Sequence, residues 1–340
     1  MASSLVVSAN FLERIAEPTA PFYPDYLAYR KGEITQAELI ARLPHIAMLG
    51  DSVCTGIYIS SVWSTFWRAH RCRGKNWFLD VDPQPTSIRS VSKRLEEFTP
   101  LVATEYARMG ALVDRERDRQ NFLRRILGAR NFSGQVSQLL ALRRFPDLIL
   151  ISIGHNNVDW TWWCSPNELN QPEALLQRQC DRVCENFAQQ TRRLTNKART
   201  QRHRVAIVVY GLINFEAYFK GREVAERRRA ANPALYPHLE TTYKYFKSFR
   251  PEYRRNLVRL ATMVNEKLRA MVGELHRELN PNSKVQLRYS DALATADLSP
   301  VELLHAVDGW HASIEGHNVL AEAAFDRLGP SLEFLGILRG

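Results

Sequence analysis

The chain has 340 residues, 45% of them hydrophobic and 24% charged, with 46 Lys and Arg against 36 Asp and Glu for a net charge of +10. These proportions exclude a disordered chain and allow one large α/β domain with a sizeable core. No apolar run approaches the roughly 18 residues that a membrane-spanning helix needs.

The opening segment, MASSLVVSANFLERIAEP, has no positive region ahead of its short apolar run Leu5 to Val7. It therefore does not read as a signal peptide, and a cytoplasmic location is expected. Its Ser-rich start with Arg14 has only a faint similarity to an organellar transit sequence. The five cysteines (Cys54, Cys72, Cys164, Cys180 and Cys184) cannot all pair within one chain and are expected as free thiols in a reducing compartment. Cys180 and Cys184 share a helical face, but no His or further Cys accompanies them, so no metal is expected there.

Residues 1–45 read as an N-terminal extension, with a helix opening at the capping pair Thr35 and Glu38. The first apolar run, Ile46 to Leu49, reads as a buried strand that breaks at Gly50-Asp51-Ser52, with a helix expected over Ile57 to Ala69. Ser52 would then lie at the carboxyl end of a strand, where open parallel sheets form their ligand crevice. Asp51 or Ser52 would equally serve as a plain helix cap. Residues 71–87, with Gly74, Pro83 and Pro85, read as a long loop, followed by a helix over Arg89 to Phe98.

A second strand is expected over Leu101 to Tyr106, with Gly110 after it and a helix over Gln135 to Arg144. The third strand, Asp147 to Ile153, breaks at Gly154 and places His155, Asn156 and Asn157 at the same sheet edge as Ser52. A side-chain amide there could stabilise an oxyanion, although Asn after Gly is also ordinary turn chemistry. Trp160, Trp162 and Trp163 follow, either lining the crevice or packing in the core.

A long helix over Glu173 to Leu194 leads to a fourth strand, Arg204 to Tyr210. Residues 214–250, rich in both Arg/Lys and Phe/Tyr, interrupt the path to the fifth strand. They read as a solvated helical hairpin or as a basic lid facing an anionic surface. A helix over Tyr253 to Leu279 and the strand Val285 to Tyr289 complete the alternation. Near the end, Asp308 and His311 stand three apart ahead of a helix over Ile314 to Leu328. On a tight turn that spacing lets the carboxylate orient one imidazole nitrogen, as a general base requires. His317 is the competing base, but it falls inside the helix.

Taken in order, these stretches resemble the blocks of the SGNH (GDSL-type) hydrolase superfamily. The resembling residues are Gly50-Asp51-Ser52, Tyr106 to Gly110, Gly154-His155-Asn156-Asn157, and Asp308-Gly309-Trp310-His311. The resemblance implies Ser52 as nucleophile, His311 as base and Asp308 as its orienting carboxylate. It also implies an oxyanion hole from the Ser52 N–H, the Gly110 N–H and the Asn156 amide, and no metal or organic cofactor. Asn157 stands where the family commonly has Asp.

The fold expected is a three-layer α/β/α (flavodoxin-like) domain over 46–340 with about five parallel strands, the extension 1–45 packed on it and the insertion at about 214–250. The activity expected is hydrolysis of a carboxylic ester, the substrate being a small-molecule, lipid or glycan ester, with His155, Asn157, Trp160 and Trp310 near the substrate. An acyltransferase would use the same acyl-enzyme. A non-enzymatic basic binding module is the other alternative, but no nucleic-acid motif supports specific nucleic-acid binding.

Overall fold

The computed structural model describes residues 5–8, 10–56, 74–80, 88–113, 131–163, 172–280 and 282–338. The helix expected over 57–69, most of the 71–87 loop, and Cys72 and Cys164 lie outside the described residues.

Six strands form one sheet in the order β1-β3-β2-β4-β5-β6. They are β1 (Leu5–Val7), β2 (His45–Gly50), β3 (Val102–Glu105), β4 (Leu148–Ser152), β5 (Val205–Tyr210) and β6 (Val285–Ser290). The strands from β2 to β6 are parallel and correspond to the five apolar runs of the sequence. Every residue of β2, β3, β4 and β5 is buried, which is why these strands read as continuous apolar runs rather than alternating ones.

Strand β1 was not foreseen. It pairs antiparallel with β3, Leu5 opposite Thr104 and Val7 opposite Val102, so the extension supplies an edge strand to the sheet. Three residues carry no readable period, and only the partner makes them a strand. The rest of the extension folds as α1 (Phe11–Ile15), α2 (Tyr23–Arg30) and α3 (Gln36–Ile40). Its buried side chains Phe11, Ile15, Leu39 and Leu43 pack on Val102. The expected capping pair is present: Glu38 N–H donates to Thr35 Oγ1 at 3.2 Å, and Thr35 N–H donates to the Glu38 carboxylate at 2.8 Å.

Helices α4 (Val91–Glu96), α5 (Phe132–Leu140), α6 (Pro172–Arg199), α7 (Phe215–Ala231), α8 (Leu239–Tyr245), α9 (Pro251–Arg277), α10 (Ile314–Asp326) and α11 (Gly329–Leu335) follow. The crossover helices pack in two groups: α6 packs with α5 and α9, while α10 packs with α4. The chain leaves β2 toward β3 on one side and returns to β4 on the other. The carboxyl end of β2 is therefore the point where the winding reverses, and in such sheets that is where ligands bind. Ser52 sits there.

Two segments, one read as a long loop and one as a solvated hairpin or lid, contribute to the core. In residues 74–80, Trp77 and Phe78 are fully buried, and the segment is held by Glu105, which accepts from Gly74 N–H and from Asn76 Nδ2. In residues 214–250, α7 buries Phe215, Tyr218 and Phe219, and the one-turn helix Lys247–Phe249 buries Phe249, so this segment is not a solvated hairpin. The exposed cations Lys220 and Arg228 pair with Glu216 and Glu302. Its aromatic content reports packing. No helix among the described residues is long and apolar enough to cross a membrane.

Candidate active site

At the end of β2, Gly50 is required by space: a Cβ there would lie 2.6 Å from Cys54 Sγ and 2.8 Å from Ser152 O. The chain turns here against β4 and enters a one-turn 3-10 helix, Ser52–Cys54. Gln135 of α5 clamps the Gly50 peptide from both sides, accepting from its N–H at 2.8 Å and donating to its carbonyl at 2.7 Å. Arg108 N–H also donates to Gly50 O, which fastens the segment after β3 to the same turn.

Asp51 is fully buried, and its carboxylate ties the ends of β2 and β4 together. It accepts from Val53 N–H at 3.1 Å, and from the N–H groups of Gly154 and His155 at 3.0 Å each. His155 Nδ1 donates to the same carboxylate at 3.0 Å, and its Nε2 accepts from Ile213 N–H at 3.2 Å. These partners match a ring that carries its proton on Nδ1. The sequence offers Asp51 as a local turn residue; its tether to His155 across 104 positions was not legible there.

Ser52 is 4% exposed, and its Oγ makes no hydrogen bond among the described residues. Gly110 has φ +69°, a left-handed conformation that favours glycine, and a Cβ there would meet nothing within 4 Å. Asn156 Nδ2 donates to Ala111 O at 2.9 Å, and Asn157 Oδ1 accepts from Val113 N–H at 3.0 Å. The two amides thus clasp the segment that follows Gly110. Asn157 Nδ2 is buried with no hydrogen-bond partner among the described residues.

Asp308 and His311 form the pair that their spacing suggests. His311 Nδ1 lies 2.6 Å from Asp308 Oδ2, while Asp308 Oδ1 accepts from Trp310 N–H at 2.9 Å and His311 N–H at 3.2 Å. Burial by itself pushes the Asp308 carboxyl up. The attraction and hydrogen bond of the His311 ring, with the Trp310 N–H, outweigh this and hold it below the usual carboxylate range.

His311 and Trp310 line a small cleft together with Val53, Ile213, Tyr218 and Leu304. Val53 directly follows Ser52, so the cleft joins the end of β2 to the Asp308–His311 turn. Of the residues expected near a substrate, Trp310 alone lines it. His155 and Asn157 are buried in the tethers above, and Trp160 donates its Nε1–H to Tyr253 O at 3.2 Å. The side chains of Trp162 and Trp163 lie outside the described residues. Among the described residues no group of three His, Cys, Asp or Glu side chains could hold a metal ion.

His317 is where the sequence places it, inside α10 and fully out of reach of solvent. Its Nδ1 accepts from Trp77 N–H at 3.2 Å, and burial pushes its pKa down to about 3. Burial likewise lowers His45, to about 4. Both rings stay neutral in the folded protein while their unfolded counterparts take up protons below about pH 6.5. The unfolded state then binds more protons, so stability is lost as the pH falls from about 6.5 toward 4. Each displaced unit is worth about 1.4 kcal/mol, so the loss should be several kcal/mol. Melting temperatures measured from pH 7 to 4 should fall, and less steeply in His317→Gln. Equal slopes for the two proteins would contradict this account of His317.

A sequence profile described as GDSL-like lipase/acylhydrolase matches residues 46–324. A search of curated proteins finds no match. Solved structures similar to this chain include a carbohydrate acetylesterase family member from Sinorhizobium meliloti, at 13% identity over 86% of this chain and 100% of that one with a TM-score of 0.42. The M. smegmatis aryl esterase aligns at 13% identity over 85% of this chain and 100% of its own, TM-score 0.43. The lipase Lip_vut3 from a goat rumen metagenome aligns at 13% identity over 83% and 95%, TM-score 0.41. Likenesses this distant carry no argument about chemistry, and the assignment rests on the profile, which spans most of the chain and every block described above. The chain belongs to the GDSL-like lipase/acylhydrolase family, whose members hydrolyse esters.

Proposed function

We propose that this protein hydrolyses a carboxylic ester through an acyl-enzyme on Ser52, with His311 as the general base and Asp308 as its orienting carboxylate. The observation that carries the reading is the short Asp308–His311 contact beside a cleft that is also lined by Val53, next to Ser52. Such a carboxylate holds the imidazole with Nδ1 protonated and Nε2 available to take a proton.

In this reading His311 Nε2 removes the Ser52 proton as Oγ attacks the substrate carbonyl. The oxyanion that forms is held by the N–H groups of Ser52 and Gly110 and by Asn156 Nδ2. An amide nitrogen carries two hydrogens, and Ala111 O takes only one of those on Asn156. The imidazolium returns its proton to the leaving alcohol, and water, activated by the same ring, releases the acid. Asp51 and His155 do not take part in proton transfer; they hold the Ser52 turn against the Asn156 loop.

An oxyanion donor acts mainly in the transition state, so Asn156→Ala should lower kcat by about 10²–10³ with little change in KM. Asn157→Ala removes the acceptor for Val113 N–H and should cost stability more than turnover. Steady-state kinetics of the two variants, with their melting temperatures, checks the register: a larger kcat loss at 157 than at 156 would reverse these roles.

The function itself is tested with p-nitrophenyl acetate, butyrate and octanoate, followed by product analysis with and without an added primary alcohol. Release of free acid at a rate well above buffer supports the hydrolase. Preferential formation of the new ester would identify an acyltransferase, and no turnover of any ester would overturn the reading.

A further inference from the structure

We infer that Arg222 is a positioning residue for the Asp308–His311 pair, and that residues 214–250 are the scaffold of that turn. The inference rests on the proposed function of the pair.

Asp308, Gly309, Trp310 and His311 lie on an irregular turn that the sheet does not support. Its fastenings include the isolated bridge between Leu304 and Ala312, the hydrogen bonds from His305 N–H to His311 O and from Gly309 N–H to His305 O at 2.8 Å each, and the Trp310 and His311 N–H groups on the Asp308 carboxylate. Gly309 turns the chain at φ +58°, and the carbonyls of Asp308 and Gly309 are taken up from within by Arg222. The Arg222 Nη1 donates to Asp308 O at 3.3 Å and to Gly309 O at 3.1 Å, and Tyr218 OH also donates to Gly309 O at 3.1 Å.

The guanidinium is fully buried and uses all three nitrogens. Its Nη2 donates to Thr242 Oγ1 at 2.6 Å and to Leu239 O at 3.2 Å in α8, and its Nε pairs with Glu226 at 3.1 Å. The rings of Tyr243 and Phe249 flank it at 5.0 and 5.6 Å. One rigid fork therefore connects α7, α8 and the backbone immediately beneath Asp308 and His311. The same segment cages Trp310, which sits 4.6 Å from Phe249 and 5.0 Å from Tyr218 between ring centroids.

A buried ion pair is a weak source of stability, because an apolar replacement of similar volume is often as stable. What the planar fork supplies here is registry: it sets two successive carbonyls, and through them the direction in which Asp308 and His311 face. A lysine, with one compact ammonium, cannot span both carbonyls and Thr242.

The test compares Arg222→Met, Arg222→Lys and Thr242→Val, assaying each well below its melting temperature. A displaced base pair should lower kcat by about 100-fold in Arg222→Met while KM stays within about threefold. Arg222→Lys should recover part of the loss. Thr242→Val, which loosens only the far end of the fork, should lower kcat about fivefold alone and add nothing in the Arg222→Met background. A purely structural role would lower the melting temperature and leave kcat of the folded protein unchanged. Should Arg222→Met not fold, Thr242→Val decides on the same criterion. Ester turnover that depends on Ser52, with kcat kept within about threefold in the variants that fold, would overturn the inference. Turnover that survives Ser52→Ala would instead overturn the reading of the site.

Discussion

Replacing Ser52 with alanine should leave a folded protein whose kcat for ester hydrolysis is down by about 10⁶, by analogy with nucleophile knockouts in serine hydrolases. The expectation of an intact fold comes from the local geometry. Ser52 Oγ makes no hydrogen bond among the described residues, so its removal orphans no partner. The turn that carries it is held by its neighbours, Asp51 through four donors and Gly50 through Gln135. Activity falls because the neighbouring groups do not replace it: the Thr55 hydroxyl donates to Ser52 O at 3.1 Å, and the Cys54 thiol is fully buried and pushed far up by burial. Turnover within about tenfold of wild type, in a protein with unchanged melting temperature, would remove Ser52 from the mechanism.

His311→Ala should cost nearly as much, since nucleophile and base act as a unit and their losses do not add. The Asp308 carboxylate keeps two backbone donors, Trp310 N–H and His311 N–H, so the turn should survive the change. His317→Ala is the informative contrast. That ring is buried and serves Trp77 N–H, so its loss should lower the melting temperature and leave the folded fraction active. Kinetics and melting curves for both variants separate the two roles. An essential His317 with a dispensable His311 would mean that the base has been placed on the wrong histidine.

How much of this was legible in the sequence depended on how local the cause is. Strands β2 to β5 are buried along their whole length, so each appears as an apolar run, and the blocks that follow β2, β3 and β4 could be read as turns in chain order. The Asp308–His311 contact is also local, three residues on a turn, and its spacing already implied it. Strand β1 was not legible because three residues become a strand only by pairing with β3. The Asp51–His155 tether and the Gln135 clamp were not legible because each joins residues far apart in the chain. Arg222 sits in a stretch, GREVAERRR, whose composition reads as a solvated helical face. Only the packing of α7 on α8 and on the Trp310 turn shows that this one arginine is inside. The tryptophan at 160 was ambiguous for the same reason, since an aromatic ring after a block serves a crevice or a core equally well by sequence.

The central claim, that the end of β2 carries an activated serine, is tested most directly by reaction with a fluorophosphonate followed by peptide mapping. Such a reagent modifies a hydroxyl only where a base and an oxyanion site assist it. The account expects one adduct per chain on the peptide containing Ser52, absent in Ser52→Ala and formed far more slowly in His311→Ala. An adduct on another residue, or no adduct on a preparation that turns over ester, would contradict it.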